Sequence, residues 1–272
     1  MNLSAILGHV AVDLREVVGE GRRHGPRAAW ICLRAHLDNL SALLRERLFR
    51  ARAVACPCCG WEGHAFRALF LTYMVLPGTE CPRCGAHCRQ RMLHLWLHGP
   101  GRDWLPESPR ILHVAPELPL RSILLQHPGA RVLSVDILPD KLHRAGGPAL
   151  RTDLQRAAIA SSSIDAVVCI HVLEHIPDDF AAAHELYRVL RPGGVALIMV
   201  PTNLWSPEVI EFGRPNPDMY DHWRDYVPQA MPARLAPFEV QLIHPGEWLS
   251  AEQRARHSIG ENEIICLCRK PA

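Results

Sequence analysis

The chain has 272 residues, of which 48% are hydrophobic and 21% charged. These proportions are typical of globular proteins and exclude wholesale disorder, collagen-like repeats and low-complexity scaffolds. The formal net charge of +2 is too small for a protein that works mainly by coating nucleic acid or an anionic membrane. The charge is uneven, however, with 15 basic and 9 acidic residues in 1–110 and 15 basic and 19 acidic residues in 111–272.

The N-terminal sequence does not resemble a secretory signal. It has no basic segment ahead of its apolar stretch, and Asp13 and Glu16 interrupt that stretch. An uncharged apolar run of about 18 residues, which a membrane-spanning helix needs, is also missing from the sequence. We therefore expect a cytoplasmic protein with no membrane partner and with reduced cysteines. In that environment clustered cysteines indicate metal ligands or catalytic groups rather than disulfides.

Two apolar helical patterns come first along the chain. Apolar residues recur at steps of three and four from Leu3 to Val18 and again from Trp30 to Leu48, and residues 19–26 interrupt the pattern. This arrangement predicts an antiparallel helical hairpin in a first region, residues 1–55. Its apolar faces are expected to pack on the rest of the protein or on a second subunit, as a homodimer through these helices. A basic surface for an anionic membrane or a carrier protein is the alternative interpretation.

Residues 56–110 are predicted to form a zinc-ribbon module and a linker. Cys56, Cys59, Cys81 and Cys84 form two C-x2-C pairs separated by 21 residues, just beyond the usual spacing of such a site. A glycine follows each pair, which leaves room for backbone amides to point at the sulfurs. Four thiolates leave no open coordination position, so the zinc ion would be structural. Buried thiols or a redox dithiol are the alternatives.

Beyond residue 110, short apolar runs alternate with helical patterns. Such alternation is typical of a parallel sheet with helices on both faces, so residues 111–272 are predicted to form one α/β domain. Two late runs lie close enough in the sequence to pair as an antiparallel edge. The predicted strands cover residues 111–114, 132–135, 166–170, 195–200, 238–243 and 263–268, and a helix is predicted at 180–190.

Residues with ligand-binding chemistry follow the first two of these strands. The strand RILHV ends at Ala115, Pro116 and Glu117, where a mononucleotide-binding fold places its ligand. Asp136 closes the strand VLSVD, 23 residues after His113. A carboxylate there can accept hydrogen bonds from two ribose hydroxyls, and an aspartate that caps its own loop is an equal alternative.

The run SSSIDAVVCIHVLEHIPDDFAAAHELYRVLRPGGVALIMVP at 161–201 resembles the central segment of class I S-adenosylmethionine-dependent methyltransferases. The motif LHVAPE at 112–117, together with the CPxCG cysteines, is similar to a bacterial subgroup that joins a zinc ribbon to an LHxAPE motif. The resemblance implies a Rossmann-like, seven-stranded, mostly parallel sheet in which the strand at 263–268 is inserted antiparallel. It also implies an enzyme that takes its methyl group from S-adenosylmethionine.

The same resemblance assigns cofactor contacts residue by residue. Asp136 would hold the ribose, Ile137 would pack on the adenine, and Asp153 with Leu154 would meet the adenine amino group. The first-strand loop would approach the methionine end, and His171 would lie beside the amino acid and the sulfonium. The implied cofactor-binding residues are His113, Ala115, Pro116, Glu117, Asp136, Ile137, Asp153, Leu154 and His171.

The first-strand loop departs from the family pattern. Most of the superfamily has a glycine-rich loop here, whereas this chain has Ala115, Glu117 and Pro119 at the matching positions. Close approach of the backbone to the cofactor is therefore less assured. Either Glu117 contacts the amino group of the cofactor or binding is weaker.

Methyl transfer from a sulfonium is an in-line displacement, so the enzyme mainly aligns the acceptor, the methyl group and the sulfur, and excludes water. An acceptor that loses a proton also needs a base, and histidine suits that task. His222 is the predicted base or acceptor-orienting group. Glu174 and His175 are the other predicted catalytic residues, and capping of the following helix is their alternative role.

An insertion at residues 202–230, rich in Pro, Trp and Asn, is predicted to cover the ligand cleft. Its residues Asp221, His222, Arg224 and Tyr226 resemble a D-H-x-R-x-Y signature of the related subgroup. Arg224 is predicted to pair with an anionic acceptor or with Asp221, and lid packing without chemistry is the alternative. The predicted acceptor-contacting residues are Trp205, Tyr220, Trp223, Arg224 and Tyr226.

These features favour a small-molecule methyltransferase. O-methylation in secondary (natural product) or cell-surface saccharide metabolism is expected by family analogy alone. The rival hypothesis is an RNA methyltransferase that docks nucleic acid on the zinc ribbon and the basic N-terminal region. The first 110 residues have no lysine and no interleaving of aromatic and basic residues, so a nucleic-acid partner is not expected. A binding protein that keeps the fold without the activity is the third hypothesis.

Overall fold

The structure, a computed structural model, describes residues 3–49, 52–71 and 74–272. The chain forms two compact units, Met1–Cys88 with Ala255–Ser258, and Arg89–Arg254 with Ile259–Ala272. The domain boundaries after residues 55 and 110, and the extent of the lid, stay predictions.

The first unit begins with two long helices, α1 (Leu3–His24) and α2 (Pro26–Phe49), which confirms the predicted helical hairpin. Gly25 separates them with a φ of 87°, a conformation that suits glycine at a helix end, and proline then begins α2. The small side chains on α2 allow close packing of the two helices. The buried members of this set are Ala28, Cys32 and Ala35.

Two short antiparallel strand pairs follow in the first unit, β1 (Val54–Ala55) with β2 (Glu62–Gly63), and β3 (Arg67–Leu71) with β4 (Met74–Glu80). The side-chain amide of Asn39 on α2 bonds to β3. Its Oδ1 accepts the N–H of Ala68 at 2.7 Å, and its Nδ2 donates to the carbonyl of the same residue at 3.2 Å. One amide side chain therefore satisfies both backbone polar groups of Ala68 and joins the helical hairpin to β3.

The second unit contains one large sheet and a separate hairpin. Its strands are β5 (Arg110–Val114), β6 (Arg131–Asp136), β7 (Ala149–Arg151), β8 (Ile164–Ile170), β9 (Leu190–Met199), β10 (Ile210–Asn216), β11 (His222–Asp225), β12 (Glu239–Ile243) and β13 (Ile265–Arg269). The sheet order is β12-β13-β9-β8-β5-β6-β7, and neighbouring strands run parallel except where β13 pairs antiparallel with β9 and β12. This topology confirms the predicted Rossmann-like sheet and its antiparallel insertion.

Short helices connect these strands. They are α3 (Cys88–Leu97), α4 (Leu118–Leu124), α5 (Pro139–Ala145), α6 (Asp179–Val189), α7 (Met231–Arg234) and α8 (Ala251–His257), with 3-10 turns at Leu154–Arg156, Leu173–His175, Pro217–Met219, Pro228–Ala230 and Pro245–Glu247. Every residue of β8 is buried, so the sheet is covered on both faces at this strand. Within the described ranges, no helix combines the length and the apolar character that crossing a membrane requires.

The insertion at residues 202–230 contains the antiparallel hairpin β10–β11, which forms its own two-stranded sheet. Glu211 lies opposite Arg224 in its register, and Tyr220 and Asp221 turn the chain between the strands with φ values of 63° and 56°. The N–H of Asn203 donates to the carbonyl of Tyr226 at 2.7 Å and joins the start of the insertion to its end.

Candidate active site

The adjacent strands β6, β5 and β8 end side by side at the carboxyl edge of the large sheet. The strand order reverses between β5 and β8, and in open α/β sheets a crevice at such a point binds ligands. Ala115 and His171 directly follow these two strands and have positive φ values of 47° and 54°. Their N–H groups donate to the carbonyls of Val135 and Met199, each at 2.8 Å. Both strands therefore end in a sharp turn at the reversal point.

Asp136 lies at the end of β6 with 8% of its surface exposed. Its Oδ1 accepts the N–H of Leu138 at 2.8 Å, whereas its Oδ2 is buried and accepts no hydrogen bond from the described part of the chain. Ile137 and Leu138 are about half exposed beside it. One oxygen of the carboxylate thus caps its own loop, and the other is an acceptor next to an apolar surface. Loop capping and ribose binding, the two roles predicted for Asp136, are therefore compatible.

Glu117, the residue before α4, forms an ion pair with Arg89 on α3, which is not among the predicted site residues. The guanidinium of Arg89 pairs with Oε1 of Glu117. The Oε2 atom of Glu117 is buried and has no hydrogen-bond donor among the described residues. Nothing in the sequence pattern signals this pair, because the partners lie 28 residues apart in different elements. The arginine holds one carboxylate oxygen and leaves the other for a ligand.

His113, Asp153 and Leu154 lie deeper or are engaged locally. His113 is 1% exposed in β5, and burial lowers its pKa to about 4, so its ring is neutral at pH 7. Asp153 is exposed and its Oδ1 accepts the N–H of Gln155 at 2.9 Å, which caps the following 3-10 turn. Leu154 is part of the core. Their cofactor contacts stay predictions.

Glu174 is a buried carboxyl group in the turn after β8. Its side chain is 1% exposed, and neither oxygen has a hydrogen-bond partner within residues 3–49, 52–71 and 74–272. Its Oε1 lies 3.8 Å from Nδ1 of His171 and 4.0 Å from Nε2 of His175. Burial raises the pKa of Glu174 to about 8, so the group holds its proton at pH 7 and can lose it slightly above.

His222 on β11 completes this cluster. It is 9% exposed, and its ring meets that of His175 edge-on at 4.9 Å between centroids. Burial is the main cause that lowers the pKa of His222 to about 4, and the neighbouring His175 is the second. The ring is therefore neutral at pH 7. Glu174, His175 and His222 each offer a ligand atom within 4.8 Å of the others. The structure therefore brings the three predicted catalytic residues together, in a set that can hold a proton or a cation.

Arg224 differs from its predicted role. It is 4% exposed, and it donates to the carbonyls of Ile176 at 2.8 Å and Pro177 at 2.6 Å and to the carboxylate of Glu211 at 3.1 Å. Glu211 is its cross-strand neighbour, so it takes the place predicted for Asp221. Because its donors are engaged inside the protein, Arg224 fixes the turn that carries the buried carboxyl group rather than facing an acceptor.

Tyr226 also differs from its predicted contact with the acceptor. It is fully buried, and its hydroxyl donates to Oδ2 of Asp179 at 2.8 Å. This bond joins the end of the insertion to the start of α6. Two predicted acceptor residues thus have structural roles, which the D-H-x-R-x-Y spacing alone does not distinguish from chemistry.

The remaining predicted acceptor residues have different exposures. Trp205 is 94% exposed, whereas Tyr220 is partly exposed and its ring lies 6.4 Å from that of His222. Trp223 is half-buried on β11. Asn203 shapes the turn near Trp205, since its Oδ1 accepts that residue's N–H at 2.9 Å. Tyr220 therefore lies close to His222, while the side chain of Trp205 is almost wholly exposed.

The four cysteines of the first unit form a compact cluster. The Sγ atoms of Cys56 and Cys84 lie 3.7 Å apart, as do those of Cys59 and Cys81, and all four lie within 4.8 Å of one another. Tetrahedral coordination with metal–sulfur bonds of about 2.3 Å requires sulfur separations of about 3.8 Å. The first and third of these cysteines also begin matching turns, each accepting an N–H from the glycine four residues on, at 2.9 Å. The set fits a zinc ion.

Residues 119–198 match a family described as a methyltransferase domain. The ubiquinone biosynthesis O-methyltransferase of Xanthomonas campestris pv. campestris is 27% identical over 150 residues, which cover 49% of this chain and 63% of that protein. The protein of the same description from Xanthomonas oryzae pv. oryzae is 28% identical over 131 residues, with coverages of 42% and 55%. The chain thus spans less than two thirds of the length of these relatives.

Two solved structures share the fold. An S-adenosylmethionine-dependent methyltransferase from Mesorhizobium loti has a TM-score of 0.50 and 17% identity, covering 65% of this chain and 98% of that one. A chain from the complex of the Haloferax volcanii Trm112 methyltransferase activator with a methyltransferase has a TM-score of 0.50 and 14% identity, covering 68% and 92%. The chain therefore contains a segment similar to a methyltransferase domain, and the solved structures share its fold.

Proposed function

We propose that the protein transfers the methyl group of S-adenosylmethionine to a hydroxyl group of a small molecule. The observation that carries this proposal is the set of buried carboxylate oxygens at one edge of the sheet, on Asp136, Glu117 and Glu174, which accept no hydrogen bond within the described ranges. The cofactor brings two ribose hydroxyls, an ammonium group and a positive sulfonium. A buried acceptor without a hydrogen-bond donor destabilises the protein. The donors and the positive charge of the cofactor would satisfy these oxygens.

The cofactor would lie across the ends of β6, β5 and β8. Asp136 would hold the ribose hydroxyls, the exposed side chain of Ile137 would cover the adenine, and Glu117 would accept from the ammonium group through its second oxygen. Ala115 and Pro116 would line the methionine end, with His171 beside the sulfonium. When bound, the cofactor supplies the methyl group in an electrophilic form. The chain itself aligns the acceptor and keeps water out.

The cluster of Glu174, His175 and His222 would manage the acceptor's proton. His222, neutral because it is buried, would orient the hydroxyl group through a ring nitrogen. The ionised form of Glu174, which is populated as the pH approaches the pKa of about 8, would take the proton as the new carbon–oxygen bond forms and the carbon–sulfur bond breaks. A base works best when its pKa lies near the working pH, and the pKa of about 8 for this carboxyl group suits that requirement. Tyr220 and Trp223 would border the acceptor.

O-methylation is favoured over other acceptor atoms by the curated relatives, which are named as O-methyltransferases. The test is calorimetric titration with S-adenosylmethionine, followed by methyl transfer to a panel of hydroxylated aromatic and saccharide compounds. His222→Ala should lower turnover more than cofactor affinity. Absence of binding at millimolar cofactor would refute an enzyme of this class. Tight RNA binding that weakens steeply with salt would instead favour the RNA methyltransferase.

We also propose a structural zinc ion bound by Cys56, Cys59, Cys81 and Cys84. The match between the sulfur separations and tetrahedral geometry supports it, and the four ligands leave no open position for catalysis. The metal would tie the turn between β1 and β2 to the turn that follows β4. Elemental analysis that finds no zinc in the full chain would remove this proposal.

A homodimer through α1 and α2 remains our proposal for the oligomeric state. Large apolar side chains on these helices are at least half exposed, and exposed apolar surface of this extent is typical of interaction sites. Sedimentation of the full chain as a monomer at micromolar concentration would exclude it. The exposed residues in question are Leu14, Val18, Trp30, Leu37 and Leu44.

A further inference from the structure

A second group of metal-type donors lies in the helical hairpin, separate from the four-cysteine cluster. Cys32 and His36 are four residues apart on one face of α2, and Glu16 reaches them from α1. The Sγ of Cys32 lies 3.4 Å from Nε2 of His36, and the same Nε2 lies 3.3 Å from Oε2 of Glu16. The three ligand atoms lie within 4.8 Å of one another.

These separations match the edges of a tetrahedral metal site. A zinc ion with bonds of about 2.3 Å to sulfur and about 2.0 to 2.1 Å to nitrogen and oxygen places sulfur and nitrogen about 3.5 Å apart. It places nitrogen and oxygen about 3.4 Å apart. The two observed distances, 3.4 and 3.3 Å, agree with these values.

Charge and access also suit a divalent ion. A thiolate and a carboxylate carry two negative charges, which a zinc ion neutralises, and a neutral imidazole completes the set. Cys32 is fully buried, so a thiolate there needs a cation beside it. The side chain of Glu16 is 49% exposed, which gives solvent a route to the remaining coordination position. Three protein ligands and one open position are a known zinc arrangement.

We propose that Glu16, Cys32 and His36 form a zinc site that fastens α1 to α2. This site is independent of the proposed methyl transfer and of the four-cysteine cluster. It links the two helices across the turn at Gly25 and would stabilise the hairpin by the free energy of metal binding.

The test measures the zinc content of the full-length protein after equilibration with zinc chloride and dialysis. We expect two equivalents in the wild type, one in Cys32→Ser and one in the double change Cys81→Ser/Cys84→Ser. Cobalt substitution should give a sulfur-to-cobalt charge-transfer band in the double change that Cys32→Ser removes. A wild type with one equivalent, which Cys32→Ser keeps and the double change loses, would overturn the proposal.

A second pair of variants guards against loss of the fold. Glu16→Gln keeps the shape of a half-exposed side chain, and it should weaken zinc binding at the hairpin at least tenfold in competition with a chromophoric chelator. Glu20→Gln, one turn along the same helix, should bind as the wild type does. His36→Ala should lose the site, whereas His24→Ala should keep it. Unchanged affinity in Glu16→Gln with native circular dichroism would refute the three-ligand site.

Discussion

Two buried carboxyl groups lie near opposite ends of β8 in opposite electrostatic environments. Asp165 accepts the N–H of Arg110 at 2.7 Å and its guanidinium at 3.1 and 3.2 Å, and lies 3.0 Å from the guanidinium of Arg191. Burial raises the pKa of Asp165, but these donors outweigh it and lower the pKa below its ordinary value. Glu174 has no such donors within the described ranges, and burial raises its pKa. The contrast agrees with a stabilising role for the amino edge and with the ligand binding that we propose at the carboxyl edge.

The largest effect is expected from Glu174→Gln, which removes the proposed proton acceptor and keeps its shape. Turnover should fall by about 10² to 10⁴-fold, the usual contribution of a general base, while cofactor affinity changes little. Initial rates at saturating cofactor, together with calorimetry, measure both quantities. Glu208→Gln in the exposed part of the insertion is the control and should keep full turnover. Full turnover in Glu174→Gln would mean that the carboxyl edge is not arranged for this chemistry.

Asp136→Ala should weaken cofactor affinity by at least about tenfold, which is about 1.4 kcal/mol. The reason is that its buried Oδ2 is the proposed acceptor for the ribose hydroxyls. Asp140→Ala, in the first turn of α5, is the matched control. Calorimetric titration of both variants decides the question, and equal affinities would show that the end of β6 does not hold the cofactor.

Asp165→Asn should lower the free energy of unfolding by about 1 kcal/mol. Hydrogen bonds to charged groups contribute more than this, but both arginines are nearly half exposed and solvent screens them. Because the pKa of Asp165 is lowered in the folded protein, its contribution is full above the ordinary pKa and is lost as the pH falls below it. Urea unfolding at pH 7 and pH 3 should therefore show a larger difference from wild type at pH 7 than at pH 3. Cofactor binding should be unaffected.

The last prediction concerns thermal stability, and the size of its effect grows with pH. The folded protein holds a proton on Glu174 up to about pH 8, whereas the unfolded chain releases it near the ordinary pKa of glutamate. The stability that this group contributes is therefore present in acid and is lost as the pH rises through 8. Glu174→Gln should melt like the wild type at pH 5 and at a clearly higher temperature at pH 9. Parallel melting curves across this range would place the pKa near its ordinary value.

The sheet could be predicted from the sequence because its signals are local. The run from Ile164 to Ile170 is apolar at nearly every position, and LRPGG after the helical segment predicts the start of the next strand. Strand ends then identify Asp136 and Glu174 as edge residues. The partners of Arg224 could not be predicted in this way, because its carbonyl acceptors lie 47 and 48 residues away and meet it only after the insertion folds. The sequence shows that a buried Arg224 needs hydrogen-bond acceptors, but only the packing of the folded chain determines which carbonyls they are.

The contacts of Arg224 bear on how the substrate of the proposed enzyme could change. Arg224 lies on β11 and its guanidinium donates to carbonyls of the turn that carries Glu174. His222 lies two residues earlier on the same strand. The base of the β10–β11 hairpin is therefore coupled to the turn that carries Glu174. The tip, residues 217–221, is largely exposed. Changes in the length and side chains of the tip can therefore be made while the base keeps the arrangement of Glu174 and His222 on which the proposed proton transfer depends.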